Sequence, residues 1–321
     1  MFSLIQKRRY FFLLSAFVIV PGLLLMIYST ITTGAPFRLS IDFVGGSIYE
    51  LKFTTPDATE SGLRDVFARF GDENVTVQAL GAPEEYRWSV RASFRESTAE
   101  TDSIIEALNS LAPIDRSRLR IERVSPTVGG EVATAAFLAV IVATVVVTGF
   151  IVIAFRQVPN AFRYGVCAIL AMLHDVLVIA SAVSLLGFLF GWEVDALFLT
   201  AILTTVGFSV QDTIVLFDRI RENIPLHLGE PYDAIVNRSI LETIHRSLAT
   251  QLNAFFIMAA ILLFGGESIK QFIALLFIGL LTGTYSSIFT AVPLLVAWEK
   301  GEIPFINRFR PTSADLSEAG A

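Results

Sequence analysis

The chain has 321 residues, 54% of them hydrophobic and 17% charged, with a formal net charge of −6. Soluble domains carry about 25% charged residues, so this composition describes a membrane protein and excludes an ordinary soluble enzyme. The acidic excess sits mostly in one polar insert and the tail, which leaves no basic stripe for nucleic acid, and the single Cys167 excludes an internal disulfide. Nothing in the pattern points to thiol chemistry, a metal site or a cofactor.

Residues 1–9 form a basic N-terminus ending in Lys7-Arg8-Arg9, and an apolar run over 10–31 follows. That run is too long for a signal peptide and lacks a small-residue cleavage pattern near Tyr28, so it is expected to stay as a transmembrane helix. Apolar runs of about 20 residues recur at 132–155, 162–186, 197–217, 247–264 and 272–298, which makes six expected spans. An even number places both termini on one side. Lys7, Arg8, Arg9, Arg156, Arg163, Arg219, Arg221, Arg238, Arg246, Lys300, Arg308 and Arg310 fall in alternate loops, whereas the opposite loops at 187–196 and 265–271 hold only Lys270. By the positive-inside rule the basic loops and both termini are cytoplasmic, and the insert at 32–130 lies outside, in the periplasm of a Gram-negative cell.

Within that insert, residues 47–53, 75–80, 87–93 and 119–124 read as strands, and 59–70 and 98–111 carry helical spacing. With an extra leading strand expected over 38–43, the β-α-β-β-α-β order matches the ferredoxin-like split arrangement. The insert has no His or Cys and only scattered acidic residues, which suits a recognition or docking module better than a catalyst. The expected fold is therefore an α-helical polytopic membrane protein: six transmembrane helices, with an α+β ferredoxin-like periplasmic domain between the first and second. A five-helix transmembrane domain occupies 131–300, and a disordered cytoplasmic tail is expected over 301–321.

Ionisable residues inside spans are expensive and usually face protein or water. Three sites qualify: Asp212 in the fourth span, His174-Asp175 near the middle of the third, and Arg246 at the start of the fifth. A carboxylate in low dielectric holds its proton more tightly and a neighbouring Arg favours its release, so an Asp whose surroundings change with conformation can carry protons. The plainer roles are inter-helix hydrogen bonds for the two acids and a headgroup anchor for Arg246. Thr204, Thr205, Ser209 and Gln211 in the fourth span, and Thr250, Gln251 and Asn253 in the fifth, predict that these helices face each other or a wet path. Asp218, Arg219, Arg221 and Glu222 read as a charged cytoplasmic boundary, and Gly279, Gly283, Ser287 and Ala291 recur every four residues as a close-packing face.

Four stretches then resemble a known family. Ile41-Asp42-Phe43-Val44-Gly45-Gly46 resembles a D-F-x-G-G box after the first span, and His174-Asp175-Val176 an H-D-V in the third. Residues 207–223, from Gly207-Phe208-Ser209-Val210-Gln211-Asp212 to Asp218-Arg219-Ile220-Arg221-Glu222-Asn223, resemble G-Y-S-x-N-D-T-I-V-x-x-D-R-I-R-E-N, and Gly283-Thr284-Tyr285-Ser286-Ser287-Ile288 resembles G-T-Y-S-S-I. Together they resemble the SecF-type protein-export membrane proteins of the RND superfamily. Phe208 stands where the family has Tyr and Gln211 where it has Asn, and residues 247–253 follow the family's L-x-R-T-x-x-T-S run loosely.

The resemblance implies a subunit of the Sec translocase in the bacterial cytoplasmic (inner) membrane that couples proton-motive force to completion of polypeptide translocation. It implies a SecD-like partner, the SecYEG channel, an unfolded secretory polypeptide and membrane lipids as contacts. Asp212 would be the proton-path aspartate and Arg246 the arginine of that run, expected to modulate it; His174 and Asp175 are expected further members of the path from their place inside the third span. Two other readings fit the same spans. A small-molecule or lipid exporter of the superfamily would want a roomy apolar pocket in the external domain, and a passive scaffold of the channel would use the polar residues for packing alone. An intramembrane aspartyl protease would pair Asp175 with Asp212, but Ser-Val-Gln-Asp lacks the Gly-x-Gly-Asp of such enzymes.

Overall fold

A lipid interior offers the backbone no water to bond, so long apolar runs close their hydrogen bonds internally as helices. In the computed structural model, which describes residues 5–73, 75–156 and 161–302, six helical stretches are long and apolar enough to cross a membrane. They are α1 (Arg8–Thr33, entered by a 3-10 turn), α5 (Pro126–Phe155), α6 (Ala161–Phe190), α7 (Ala196–Leu226), α8 (Tyr232–Phe264), and a last stretch in three pieces. That stretch runs as α9 (Glu267–Ser286), a π turn (Ser287–Ala291) and α10 (Val292–Glu299). Pro293 explains the break: it has no N–H, and its ring would press on the carbonyl four residues back, so the helix widens by a residue. The tail expected to be disordered lies mostly at 303–321, outside the described residues, together with Arg308 and Arg310.

α7 and α8 outrun their apolar windows furthest. α7 continues through the charged stretch to Leu226, and α8 starts at Tyr232 rather than near 247. Their polar ends pair within and between the helices: inside α7 Arg219 meets Glu222 at 2.8 Å and Asp218 meets Arg221 at 2.7 Å, while across to α8 Arg219 meets Glu242 at 2.7 Å and Asn223 Nδ2 donates to Ser239 Oγ at 2.9 Å. The charged stretch is therefore a helix–helix seam as well as a boundary.

The chain divides into two compact units, and the second comprises Leu39–Ala139 with Glu193–Ala196. Its sheet holds β1 (Gly46–Lys52), β2 (Thr76–Leu80), β3 (Arg87–Ala92) and β4 (Arg120–Val124) in the order β2-β3-β1-β4, every neighbour antiparallel. Helices α3 (Glu60–Arg69) and α4 (Thr98–Leu111) complete the split arrangement that the sequence pattern predicts. Alternate residues Tyr49, Leu51 and Phe53 meet Leu63, Val66 and Phe67 of α3 and Ile104 and Leu108 of α4 in one buried core. Thr59 and Ser97 cap the two helices, their hydroxyls accepting from the N–H groups of Gly62 and Glu100.

The leading strand expected over 38–43 does not form. Leu39 makes one bridge to Val194, and Ile41–Val44 is instead a single helical turn, α2. Ser40 caps that turn by accepting from Asp42 N–H at 3.1 Å, and Gly45, at φ +77°, ends it by donating to Ile41 C=O at 2.8 Å. Local side-chain and glycine chemistry outweighs the alternation that suggested a strand. The bridge to Val194 also draws residues 193–196 into this unit, whereas the sequence places them in the five-helix domain.

Gly45 and Gly46 are required by geometry. Both have positive φ, and a Cβ on Gly45 would lie 2.7 Å from Pro126 backbone atoms. Gly45→Ala should therefore destabilise the fold by about 1–3 kcal/mol, seen as a lower thermal midpoint in detergent. An unchanged midpoint would show that the backbone here relaxes freely.

Candidate functional site

The polar core of the first unit is built on α6, where His174 and Asp175 lie in an otherwise apolar helix. Asp175 is completely buried and His174 is 8% exposed. Asp175 Oδ1 meets His174 Nδ1 at 3.0 Å. Asp175 Oδ2 accepts from Ser209 of α7, and from Ser286 of α9 at 2.7 Å. His174 Nε2 meets Ser15 Oγ of α1 at 2.9 Å, and its ring stacks on Tyr285 with centroids 6.0 Å apart. Tyr285 in turn donates to the Phe11 carbonyl at 2.8 Å. One carboxylate thus gathers hydrogen bonds from α6, α7 and α9, and its histidine extends the network to α1.

Small residues make the gathering possible. A Cβ on Gly279 would collide with Thr205, and one on Gly283 would lie 3.1 Å from Ser209 Cβ, so α9 rests directly on α7. That contact brings Ser286 to Asp175 and Ser287 to Thr213, whose hydroxyl donates to Ser287 Oγ at 3.2 Å.

Asp212 follows Ser209 by three residues, about 4.5 Å along α7, and its surroundings differ. It is half-buried, and among the described residues its side-chain partner is Gln251 of α8, whose Nε2 donates to Oδ2 at 2.7 Å. Neither the His174-Asp175 pair nor Arg246, the neighbours the sequence suggests, fills that place. Arg246 is exposed near the middle of α8. It precedes Gln251 by five residues, about 7.5 Å along the helix and on a different face. Gln211 is exposed. Arg219 lies in the ionic seam between α7 and α8, Asp218 pairs with Arg221 within α7, and Asp42 accepts from Ala196 N–H at 3.0 Å in the second unit.

Two members of this site escape a reading of ionisable residues. Ser15 is a single hydroxyl in the apolar run from Phe11 to Val20, and that isolation is the one signal it gives. Gln251 stands out among the polar residues of the fifth span, but its pairing with Asp212 depends on how α7 and α8 are rotated.

Comparison with known proteins gives a consistent result. The family model described as "Protein export membrane protein SecD/SecF, C-terminal" matches residues 103–301, and that described as "SecD/SecF GG Motif" matches residues 30–57. The chain is 45% identical to the protein translocase subunit SecF of Anaerolinea thermophila over 94% of its own length and 96% of that protein. It is 39% identical to SecF of Thermobaculum terrenum, covering 99% of each. It is also similar to the crystal structure of SecDF from Thermus thermophilus, a translocon-associated membrane protein, with TM-score 0.75 and 31% identity. The match covers 93% of this chain and 39% of that longer one, so this chain spans well under half of its length.

Proposed function

From the membership of this chain in the SecD/SecF family of protein-export membrane proteins, established by the relatives above, we propose that it couples proton movement at Asp212 to polypeptide export. The chain is a multi-pass membrane protein with a Sec-export accessory role, and a SecD-like subunit is its partner. The finer reading is that the accessory role draws on the proton-motive force, in the cytoplasmic membrane with both termini inside, while SecYEG and an emerging unfolded chain are engaged outside and lipids surround the helices.

One observation carries the proton reading. Asp212 is a carboxylate in an apolar helix, half open at the surface of this chain and held by one neutral amide. A partner subunit closing over that face would change its access to water, and with it the balance between protonated and ionised forms. Asp175 differs in being sealed, with three donors on its two oxygens, which suits a relay or a fixed support more than direct exchange with solvent. Arg246, exposed in this conformation, has a long flexible side chain whose movement toward Asp212 would favour proton release.

The test is export by vesicles holding this chain, its SecD-like partner and SecYEG, measured with and without a proton gradient. Gradient-dependent stimulation is expected, and export indifferent to the gradient would return the chain to a scaffold. Arg246→Lys should retain most of the stimulation and Arg246→Ala should lose it if charge alone matters. Equal and negligible effects would leave Arg246 as a membrane anchor.

A further inference from the structure

Residues 193–196, between α6 and α7, are held to the sheet unit by a set of directional bonds. Leu39 and Val194 form a parallel β-bridge, and Ser40 N–H donates to the Val194 carbonyl at 2.8 Å. Arg91 Nη1 reaches both Glu193 Oε1 and the Leu39 carbonyl at 2.7 Å. The two side chains of that ion pair are each 24% exposed, so it is largely withdrawn from water. Asp42 Oδ2 accepts from Ala196 N–H at 3.0 Å.

Ala196 is the first residue of α7, so Asp42 caps that helix from more than 150 positions earlier in the chain. The first N–H groups of a helix have no partner within it, and its dipole favours a carboxylate there. The same short segment bears on a second helix start. Gly45 sits against Pro126, the first residue of α5, and a Cβ on Gly129 one turn later would be 2.8 Å from Gly45 N. The grip continues into the middle of the sheet, because Gly46 opens β1 and Arg91 belongs to β3, where it pairs in register with Ile48.

We propose that residues 39–46, with Arg91 and Glu193, form a coupling strut that passes displacement of α7 to the central strands β1 and β3, with Asp42 and Arg91 as its positioning residues. The proposal rests on the reading of α7 as the helix that responds to protons. Asp212 lies sixteen residues after Ala196 on that uninterrupted helix, about 24 Å along it. Charge-assisted hydrogen bonds and a β-bridge fix direction as well as contact, whereas apolar packing between smooth faces would allow α7 to slide. The invariant feature of the strut is that it stays closed while the helix moves.

The test uses the full chain reconstituted with its SecD-like partner and SecYEG, reading proton uptake and export in the same vesicles. Arg91→Glu and Glu193→Arg are each expected to reduce export about tenfold while proton uptake stays within about twofold, and the double reversal should restore export. Asp42→Ala, which removes the acceptor for Ala196 N–H, should uncouple the two readouts in the same way. Loss of both readouts together, or full export by the single reversals, overturns the strut. A second measurement pairs Leu39→Cys with Val194→Cys in a Cys167→Ala background. Oxidation should leave export intact, and a block relieved by reductant would show that the strip must open, which also overturns the proposal. Failure of the underlying reading is distinguishable: proton-driven export by Asp212→Asn would remove the proton role of α7, while the reversal pair and the cross-link would still judge the strut on export alone.

Discussion

Replacing Asp212 by Asn is expected to remove the gradient-dependent part of export and leave the rest. The substitution preserves shape and leaves a carbonyl oxygen to accept from Gln251, so the α7–α8 contact and assembly with the partner should survive. What disappears is the capacity to take up and give back a proton. Export should fall to the level seen without a gradient, and proton uptake into vesicles should fall with it. Asp218→Asn supplies the control. That carboxylate forms an exposed i,i+3 pair with Arg221, worth about 0–1 kcal/mol, and its neutralisation should change neither readout. Full gradient-driven export by the Asp212→Asn protein would end the proton-carrier reading.

The second large effect is expected at Asp175, in stability more than in transport. Asp175→Ala leaves His174, Ser209 and Ser286 without their shared acceptor in a site closed to water. Each buried polar group left unsatisfied costs about 1–3 kcal/mol, and this substitution removes the partner of three at once. The protein should unfold at a markedly lower temperature in detergent. Asp175→Asn keeps an acceptor for the serines and should cost less, about 1–3 kcal/mol. If the alanine variant melts with the native protein, the network does not hold these helices together, and its polar residues are free to be read as a proton path alone.

The contrast between the two acids shows where reading the chain in order stops. Both are aspartates in apolar helices with amide or imidazole neighbours, and no pattern in the sequence ranks them by burial. Ranking depends on the rotation of α7. Ser209 faces α6 and α9, while Asp212, three residues on, faces α8 and the open surface. The small residues at Gly279 and Gly283 are visible as a period of four, but that they receive Thr205 and Ser209 is a property of two packed helices.

Chain length, apolar runs, charge distribution and strand–helix alternation determined, without any structure, that there are six spans, that a ferredoxin-like domain follows the first, and that Asp212, Asp175 and Arg246 are the ionisable residues to explain. These features are local: a period or a run needs only neighbours along the chain. Tertiary structure alone decided that Gln251 rather than Arg246 bonds Asp212, that Asp175 ties α6, α7 and α9, that residues 41–44 turn as a helix, and that Asp42 caps the start of α7. The turn at 41–44 rests on local capping by Ser40 and Gly45 that outweighs the alternation; the others depend on groups far apart in sequence meeting at about 3 Å, and neither spacing nor composition records such a distance.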